Sequence, residues 1–243
     1  MAEFIELKAT DLAAMLCSRV CHDLINPVGA IGNGLEVLAD PTQVAMREGA
    51  QELIENSAKH ARAKLEFARL AYGASSTAGT DLDTRECERV ARLLFEIEKP
   101  DLDWRVPLIL LPKHKAKLLM NMMLIGIGAA PRGGVVTVTV EGAAGQENFR
   151  IVAKGTKTIM PSGAEGLLSG APEDGVDARG IQPFYTGILA RMTGMALKIG
   201  LEDGEFVFTA TPQAATAAAT EDTAPIEASA ESAPFEAVDQ KSA

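Results

Sequence analysis

The chain has 243 residues, of which 47% are hydrophobic and 23% charged, and its formal net charge is −10. This composition is typical of a globular protein with room for one large domain or two smaller ones, and the negative charge argues against DNA, RNA or an anionic membrane as a partner. No apolar run reaches the roughly 18 residues that span a bilayer, and the acidic start MAEFIELKATD lacks the pattern of a signal peptide. Three cysteines without framework spacing favour a reducing compartment, so a cytoplasmic location is predicted.

The first predicted element is a long helix over residues 10–39, with Thr10 and Asp11 as candidate N-caps. Its hydrophobic residues recur at steps of three and four and form what we term the first seam: Leu16, Val20, Leu24, Val28, Ile31, Leu35 and Leu38. A turn at residues 40–42, with Pro41 suited to the first position of a new helix, leads into a second helix. The second seam consists of Ile54, Ala58, Ala61, Leu65, Ala68 and Tyr72.

Two long helices joined by a short turn predict an antiparallel hairpin. A single hairpin buries too little apolar surface to be stable, and seams of this spacing suit a four-helix bundle. The sequence therefore predicts a homodimer in which each chain contributes one hairpin.

The small polar segment at residues 73–79 is predicted to be a linker, and shorter mixed elements follow it. Helices are predicted at 84–95, 113–128 and 182–192, and strands at 104–110, 135–140, 148–153, 196–199 and 206–209. This order predicts an α+β fold with a two-layer sandwich. The final stretch is dominated by Ala, Thr, Pro, Ser and acids, which predicts disorder. The predicted parts are a helical hairpin (1–74), an α/β sandwich (80–210) and a disordered acidic, Ala-rich tail (211–243).

The stretch RVCHDLINP in the first helix carries the candidate chemistry. Helical spacing points His22 away from the first seam and toward solvent. Imidazole is nucleophilic at neutral pH, and phosphoryl transfer asks a protein mainly for positioning and charge stabilisation. Asp23 is therefore a candidate for orienting the ring, and Arg19, or Lys64 from the second helix, for offsetting the charge of a phosphate.

Ile25, Asn26, Gly29 and Gly32 continue the helix face that His22 begins. Glycine costs about 1 kcal/mol inside a helix, so these glycines require a reason, such as the close approach of another helix. We therefore predict that a partner docks on what we term the glycine stripe, which consists of Ile25, Gly29 and Gly32. The pattern alone leaves open that an exposed His–Asp pair on this helix has no function.

A metal site built from Cys17, Cys21 and His22 is a weaker interpretation of the same stretch. On a helix Cys17 and Cys21 share one face while His22 turns away, and no fourth ligand is evident. The two cysteines are therefore predicted to be small buried thiols, and no metal is predicted.

Three segments, RVCHDLINPVGAIGNGLEVL, KLEFARLAYG and IQPFYTGILARMTG, resemble the ChpT family of bacterial histidine phosphotransferases, and the resemblance spans residues 10–209. It implies a homodimer whose hairpins serve both dimerisation and phosphotransfer. It also implies a C-terminal domain that resembles the ATP-binding domain of histidine kinases but does not bind ATP. In the implied phosphorelay, His22 accepts a phosphoryl group from the receiver domain of a hybrid kinase and passes it to downstream response regulators, with Asp23 and Asn26 assisting.

The sequence departs from the nucleotide-binding pattern of histidine kinases at three places. If Asn121 aligns with the first Asn of the kinase box on its helix, the Mg²⁺-binding position falls on Ile125. The kinase Asp-x-Gly-x-Gly motif appears as AKGTK at 153–157, and the second glycine box as QPFYTG at 182–187. We therefore expect that the protein has no cofactor of its own and that Mg²⁺ is supplied by the partner receiver domain. The alternatives are an ATP-using histidine kinase and a non-catalytic scaffold that binds response regulators.

Overall fold

The computed structural model describes residues 4–73 and 81–213, so most of the predicted linker and tail lies outside the described residues. The helices are α1 (Ala9–Ala39), α2 (Arg47–Ala71), α3 (Thr84–Phe95), α4 (Lys113–Ala129), α5 (Ala164–Ser169) and α6 (Ile181–Met192), with a 3₁₀ turn at Val44–Met46. The strands are β1 (Asp81–Asp83), β2 (Pro100–Arg105), β3 (Leu110–Pro112), β4 (Gly134–Glu141), β5 (Asn148–Lys154), β6 (Met195–Glu202) and β7 (Glu205–Pro212). Within the described ranges, no helix is both long and apolar enough to cross a membrane.

The helices α1 and α2 form the predicted hairpin and pack closely at Gly34. A side chain at Gly34 would collide with the Ile54 side chain and the Ala50 carbonyl, so glycine is required there for the helices to approach. In the turn, the Asp40 carboxylate accepts hydrogen bonds from Thr42 and Gln43, and these bonds lower the pKa of Asp40. Pro41 lies in this turn and does not begin α2, which starts at Arg47 after the 3₁₀ turn.

The start of α1 is set by tertiary contacts and not by a side-chain cap. The cap position is Lys8, and the predicted caps Thr10 and Asp11 lie inside the helix without capping it. The preceding segment is attached to the C-terminal half of the chain, because the Ile5 N–H donates to the Gly170 carbonyl at 2.8 Å. This attachment fixes where the helix begins.

The C-terminal half contains a five-stranded sheet in the order β2-β4-β5-β7-β6, in which β2 and β4 are parallel and the other neighbours antiparallel. Alternate residues of its three central strands are buried: Val136, Val138 and Val140; Phe149, Ile151 and Ala153; Phe206, Phe208 and Ala210. The helices α3, α4 and α6 pack against the sheet. The strands thus bury every second side chain beneath the helices, which confirms the predicted α+β class and its two layers.

Two segments of this half differ from the prediction. The predicted strand at 104–110 is wrong, since β2 ends at Arg105 and β3 is a separate strand paired with β1. Pro107 explains the interruption because it has no N–H to donate to a ladder, and its carbonyl instead accepts from the Thr84 hydroxyl at 2.8 Å. The short helix α5 was not predicted, because Gly163 and Gly170, which flank it with left-handed φ angles of 68° and 88°, gave its sequence the character of a loop.

Both helices of the hairpin also pack on the sandwich. Phe67 and Ala71 of α2 belong to the main core. Leu16 of the first seam packs instead against a second, smaller core of Leu167, Ile181 and Phe184. Leu16 therefore helps to attach α1 to the sandwich, a contact that the periodicity of α1 had not predicted.

Other seam residues are left uncovered in the single chain. Val28, Leu35 and Leu65 are 57%, 54% and 53% exposed, although each occupies a predicted seam position. Large hydrophobic side chains at this exposure on a helical hairpin lose the free energy that their burial would provide. The hairpin thus presents an apolar face that its own chain does not cover.

Candidate functional site

His22 lies on the outer surface of α1, with 64% of its side chain exposed. Its Nδ1 atom is 3.6 Å from Oδ1 of Asp23, which is too far for a hydrogen bond but close for an electrostatic contact. The other oxygen of Asp23 accepts a hydrogen bond from Nε of Arg19 at 3.0 Å. Arg19 and Asp23 are thus paired one turn apart on α1, and Asp23 also faces the imidazole of His22. The sequence had suggested Arg19 for the charge of a phosphate and had not predicted this pairing with Asp23.

The rest of the predicted site face is open. Asn26 is exposed, and Ile25 is 67% exposed despite its apolar side chain. At Gly29 and Gly32, no atom lies within 4 Å of the point where a Cβ would stand. The glycine stripe is therefore an uncovered groove on α1 that begins next to His22.

Lys64 lies on α2, half-buried, and is within electrostatic reach of Glu98 in the α3–β2 connection. Burial raises the pKa of Glu98, while the positive charge of Lys64 lowers it and the negative charge of Asp23 raises it. Lys64 thus interacts electrostatically with a carboxyl group of the sandwich. Sequence reasoning missed Glu98 because nothing in its local sequence connects it to α1.

Tyr72, at the end of α2, is a second residue that sequence reasoning did not assign to the site. Burial raises its pKa, the charge of Arg19 lowers it, and the charge of Asp23 raises it. Its ring centroid is 6.0 Å from that of Tyr185 on α6, at an interplanar angle of 60°. The periodicity of α2 identified Tyr72 only as a seam residue.

The cysteines do not form a metal site. Cys17 and Cys21 are exposed, which corrects the prediction that they are buried, since they lie on the uncovered side of α1. Cys87 is buried in the sandwich, and burial raises the pKa of its thiol to about 12. Among the described residues, no group of three or more His, Cys, Asp or Glu side chains is arranged to hold a metal ion.

A cavity of about 950 Å³ lies between Arg19, α4, α6 and the loops around α5. Four carboxylates line it, those of Glu165, Glu173, Asp174 and Asp177, against two guanidinium groups, those of Arg19 and Arg179. Asp177 also accepts hydrogen bonds from the backbone N–H groups of Arg179 and Gly180 at 2.9 and 2.6 Å. Asp177 thus holds the turn that leads into α6, which begins at Ile181 without a side-chain cap.

Asn121 and Ile125 are the residues that the sequence analysis compared with the Mg²⁺-binding box of histidine kinases. Neither provides a metal ligand to this cavity. Asn121 is fully buried, and its amide donates to the carbonyls of Ala71 and Lys117 at 3.1 and 2.9 Å. Ile125, one turn later, is 4% exposed and contributes an apolar side chain to the cavity wall. These residues do not fit a nucleotide with its metal ion.

An exposed histidine with an ion pair beside it, on a helical hairpin attached to an α+β sandwich, is an arrangement suited to phosphoryl transfer through histidine. Residues 84–205 match the family model described as the histidine phosphotransferase C-terminal domain. The protein phosphotransferase ChpT of Brucella abortus (strain 2308) is 46% identical over 207 residues, which are 85% of this chain and 98% of that protein. A solved structure of a bacterial phosphotransferase is 45% identical with a TM-score of 0.79, covering 86% of this chain and all of that one. The chain belongs to the ChpT family of histidine phosphotransferases, enzymes of phosphoryl transfer.

Proposed function

We propose that the chain accepts a phosphoryl group on His22 from a phospho-aspartate of a hybrid kinase's receiver domain and passes it to aspartates of downstream response regulators, without using ATP. The observation that carries this proposal is the exposed imidazole of His22 with Asp23 and Arg19 behind it. Its three free cysteines fit a reducing cytoplasm, where we place the protein.

The geometry suggests how the transfer proceeds. Because Nδ1 of His22 faces Asp23, Nε2 is the ring nitrogen left to attack the phosphorus. The P–N bond forms as the P–O bond to the donor aspartate breaks, and the donor carboxylate leaves with the electron pair. The ring becomes cationic while its proton stays on Nδ1, where the carboxylate of Asp23 stabilises it. Attack by the acceptor's aspartate reverses these steps and restores the neutral imidazole.

The neighbouring residues support this reaction in different ways. Arg19 keeps Asp23 in place through its hydrogen bond, so its effect on the phosphoryl group is indirect. Asn26 lies one turn beyond His22 on the exposed face, from which its amide donates to a phosphoryl oxygen. Lys64 adds positive charge from α2. We propose that Mg²⁺ belongs to the acidic pocket of the partner receiver, and that this chain has no cofactor of its own.

The cavity beside α4 supports independence from ATP. A nucleotide would bring its triphosphate against four carboxylates, whose negative charge would repel it. The side-chain oxygen of Asn121, the atom that would hold a metal ion, is buried and accepts a hydrogen bond from Gln182 at 3.3 Å. These features oppose the interpretation of the chain as a kinase.

A phosphotransfer time course tests the proposal. The purified protein is offered either radiolabelled ATP or a labelled phospho-receiver domain. Label gained only from the receiver supports the proposed function, whereas label gained from ATP alone would mean a working kinase. Binding of the receiver without any transfer of label would indicate a scaffold.

We further propose that receiver domains dock on the glycine stripe. Gly29 lies about 10 Å along α1 from His22, and a larger side chain there meets no atom of its own chain. The variant Gly29→Trp should therefore fold normally but weaken receiver binding by about 10-fold or more, because the indole occupies the groove. Isothermal titration calorimetry with the receiver measures this effect.

Two variants serve as controls for docking. Gly49→Trp introduces the same side chain at another open helix position, near the turn of the hairpin and away from His22, and should bind the receiver normally. Gly29→Ala should also bind normally, since a methyl group fills little of the groove. Equal affinities for Gly29→Trp and the wild type would refute docking on the glycine stripe.

We propose that the uncovered apolar face of the hairpin packs against a second copy to form a four-helix bundle. Leu35→Glu places a carboxylate at this interface, and an unpaired buried charge costs about 3–5 kcal/mol. We expect dimer dissociation to become about 100-fold easier or more, measured by sedimentation as a shift from twice the 25.6 kDa chain mass toward the single mass. Leu108→Glu, at a leucine outside the hairpin that is 71% exposed, is the control and should leave the mass unchanged.

A further inference from the structure

We infer that residues 4–7, which we term the strap, form a latch that fastens the start of α1 to α5, and that opening of this latch widens the cavity beside Arg19. The inference concerns a movement within the fold and does not depend on the route of phosphoryl transfer. Its support is the difference between two attachments of the hairpin to the sandwich, of which the strap is the weaker.

The strap is held by contacts to the end of α5. The Ile5 N–H donates to the carbonyl of Gly170, the C-cap residue of α5, at 2.8 Å. The Phe4 ring lies so close to Gly170 that a Cβ there would stand 2.6 Å from a ring atom. Ile5 and Leu7 pack on the small core formed by α5 and α6. The strap thus fastens the segment directly before α1 to the end of α5.

Arg191 of α6 strengthens the same attachment. Its guanidinium lies 5.1 Å from the centroid of the Phe4 ring, which is a cation–π distance. The same guanidinium donates to the carbonyls of Leu168 and Ser169 at 3.1 and 3.3 Å, and carbonyls in the last turn of a helix have no partner within it. One side chain therefore holds together α6, the end of α5 and the strap.

The attachment of the strap lies close to solvent. Phe4 is 57% exposed, and Ile5 and Leu7 are only half-buried. Segments with few buried apolar contacts open locally at a lower free energy than the core of a protein. We therefore expect the strap to open and close while the rest of the chain stays folded.

The second attachment of the hairpin, at the end of α2, is stronger. Phe67 and Ala71 belong to the main core, where they are 2% and 0% exposed. The Ala71 carbonyl accepts a hydrogen bond from the amide of Asn121 on α4, which is fully buried, so the bond is shielded from water. When the strap opens, the end of α2 thus stays in place and the hairpin can pivot about it.

This movement changes the cavity between α1, α4, α6 and α5. Arg19 of α1 lines one side of the cavity, and residues around α5, among them Ala164 and Glu165, line another. The strap connects these two walls, because it continues into α1 and is bonded to Gly170. An open strap therefore separates the walls and moves Arg19, the partner of Asp23, away from α5.

Hydrogen–deuterium exchange of the full-length protein, measured by mass spectrometry, tests the latch. The variant Phe4→Ala/Ile5→Pro removes the ring and the N–H donor. Amides of residues 9–16 and of α5 should then exchange about 10-fold faster, and those of α4 and β5 should change less than about 2-fold. Phe4→Ala alone should show the same pattern at about 3-fold, and it replaces the double variant if that protein does not fold. Glu6→Ala, at an exposed side chain of the strap, is the matched control and should exchange like the wild type.

Alkylation of an introduced thiol measures the width of the cavity. In a Cys17→Ser/Cys21→Ser background, which removes the two exposed thiols, Ala164→Cys places a thiol on the cavity wall at a position that is 2% exposed. Phe4→Ala should speed the reaction of this thiol with a maleimide about 3-fold. Cys87 is buried in the main core and is the internal control, since its reaction should not change.

Four results would overturn the inference. Wild-type exchange in both strap variants would mean that these contacts do not hold α1 to α5. Faster exchange of residues 9–16 without α5 would indicate a frayed helix end, and an equal gain in α4 or at Cys87 would indicate a loss of global stability. An unchanged reaction of Ala164→Cys would refute the widening of the cavity. None of these measurements uses a phosphoryl donor, so their outcome is separate from that of the proposed function.

Discussion

When it is offered a labelled phospho-receiver, the His22→Gln protein should gain label at least about 10³-fold more slowly than the wild type. Glutamine retains the size and polarity of the side chain but has no nucleophilic nitrogen to attack phosphorus. Because the His22 side chain is 64% exposed, the substitution should leave the fold intact. Gel autoradiography of a time course, with circular dichroism to confirm folding, provides the measurement.

The chain contains a suitable control for this experiment. His60 is also exposed on the hairpin, but it lies on α2 and its charge acts on Glu98, not on Asp23 beside His22. His60→Gln should therefore accept label at the wild-type rate. The bound label should be lost in acid and retained in base, as is expected of a phosphoramidate. Persistent labelling of His22→Gln would show that another residue carries the phosphoryl group.

The second large effect expected is on stability, and it arises from a buried ion pair in the sandwich. Nζ of Lys115 on α4 lies 2.7 Å from a Glu147 oxygen, and the other oxygen accepts from the Gly145 N–H at 2.7 Å. Glu147→Ala leaves the Lys115 ammonium buried without its partner, which should lower the free energy of unfolding by about 3 kcal/mol. For a chain of this size the midpoint of thermal unfolding should fall by about 6–12 °C.

An exposed ion pair provides the comparison for this change. Lys154 and Glu205 lie 2.6 Å apart, but Lys154 is largely in solvent. Glu205→Ala should therefore change the free energy of unfolding by less than about 0.5 kcal/mol. Equal effects of Glu147→Ala and Glu205→Ala would contradict the importance of burial.

The contribution of Glu147 should also depend on pH. Burial acts to raise the pKa of Glu147, but hydrogen bonds from Lys115 and Gly145 outweigh it, and the pKa lies below its usual value of 4.5. A carboxyl group whose pKa is lowered by folding stabilises the protein above the pKa of the unfolded chain and loses that effect as the pH falls. The difference in stability between wild type and Glu147→Gln should therefore be constant at neutral pH and shrink below about pH 4.5.

Local periodicity predicted a large part of the fold and the exposure of His22. The hairpin, the central strands β4 and β5 and the helices α3 and α6 follow from hydrophobic spacing alone. The contact of Arg19 with Asp23 is also local, since residues four apart on a helix are neighbours. For the same reason His22 could be placed on the outer surface of α1 before any tertiary structure was known.

What the sequence did not predict depends on contacts between distant residues. Leu16 packs on the small core that contains Phe184. Glu98 comes within electrostatic reach of Lys64 only because of the tertiary fold. Asn121 could be compared with a nucleotide-binding position, but its bond to Ala71 could not be foreseen. Periodicity specifies which residues face inward and does not specify which partner they meet.

The contacts around His22 have a consequence for how the subunits of the proposed dimer would work. The hydrogen bond between Arg19 and Asp23 joins two residues of the helix that carries the histidine. In the proposed dimer we therefore expect each His22 to work by itself, so that a mixed dimer of one intact and one His22→Gln chain keeps half of its capacity. A defective copy should reduce the rate of phosphoryl transfer in proportion to its share of the protein, and it should not inhibit the intact copy bound to it.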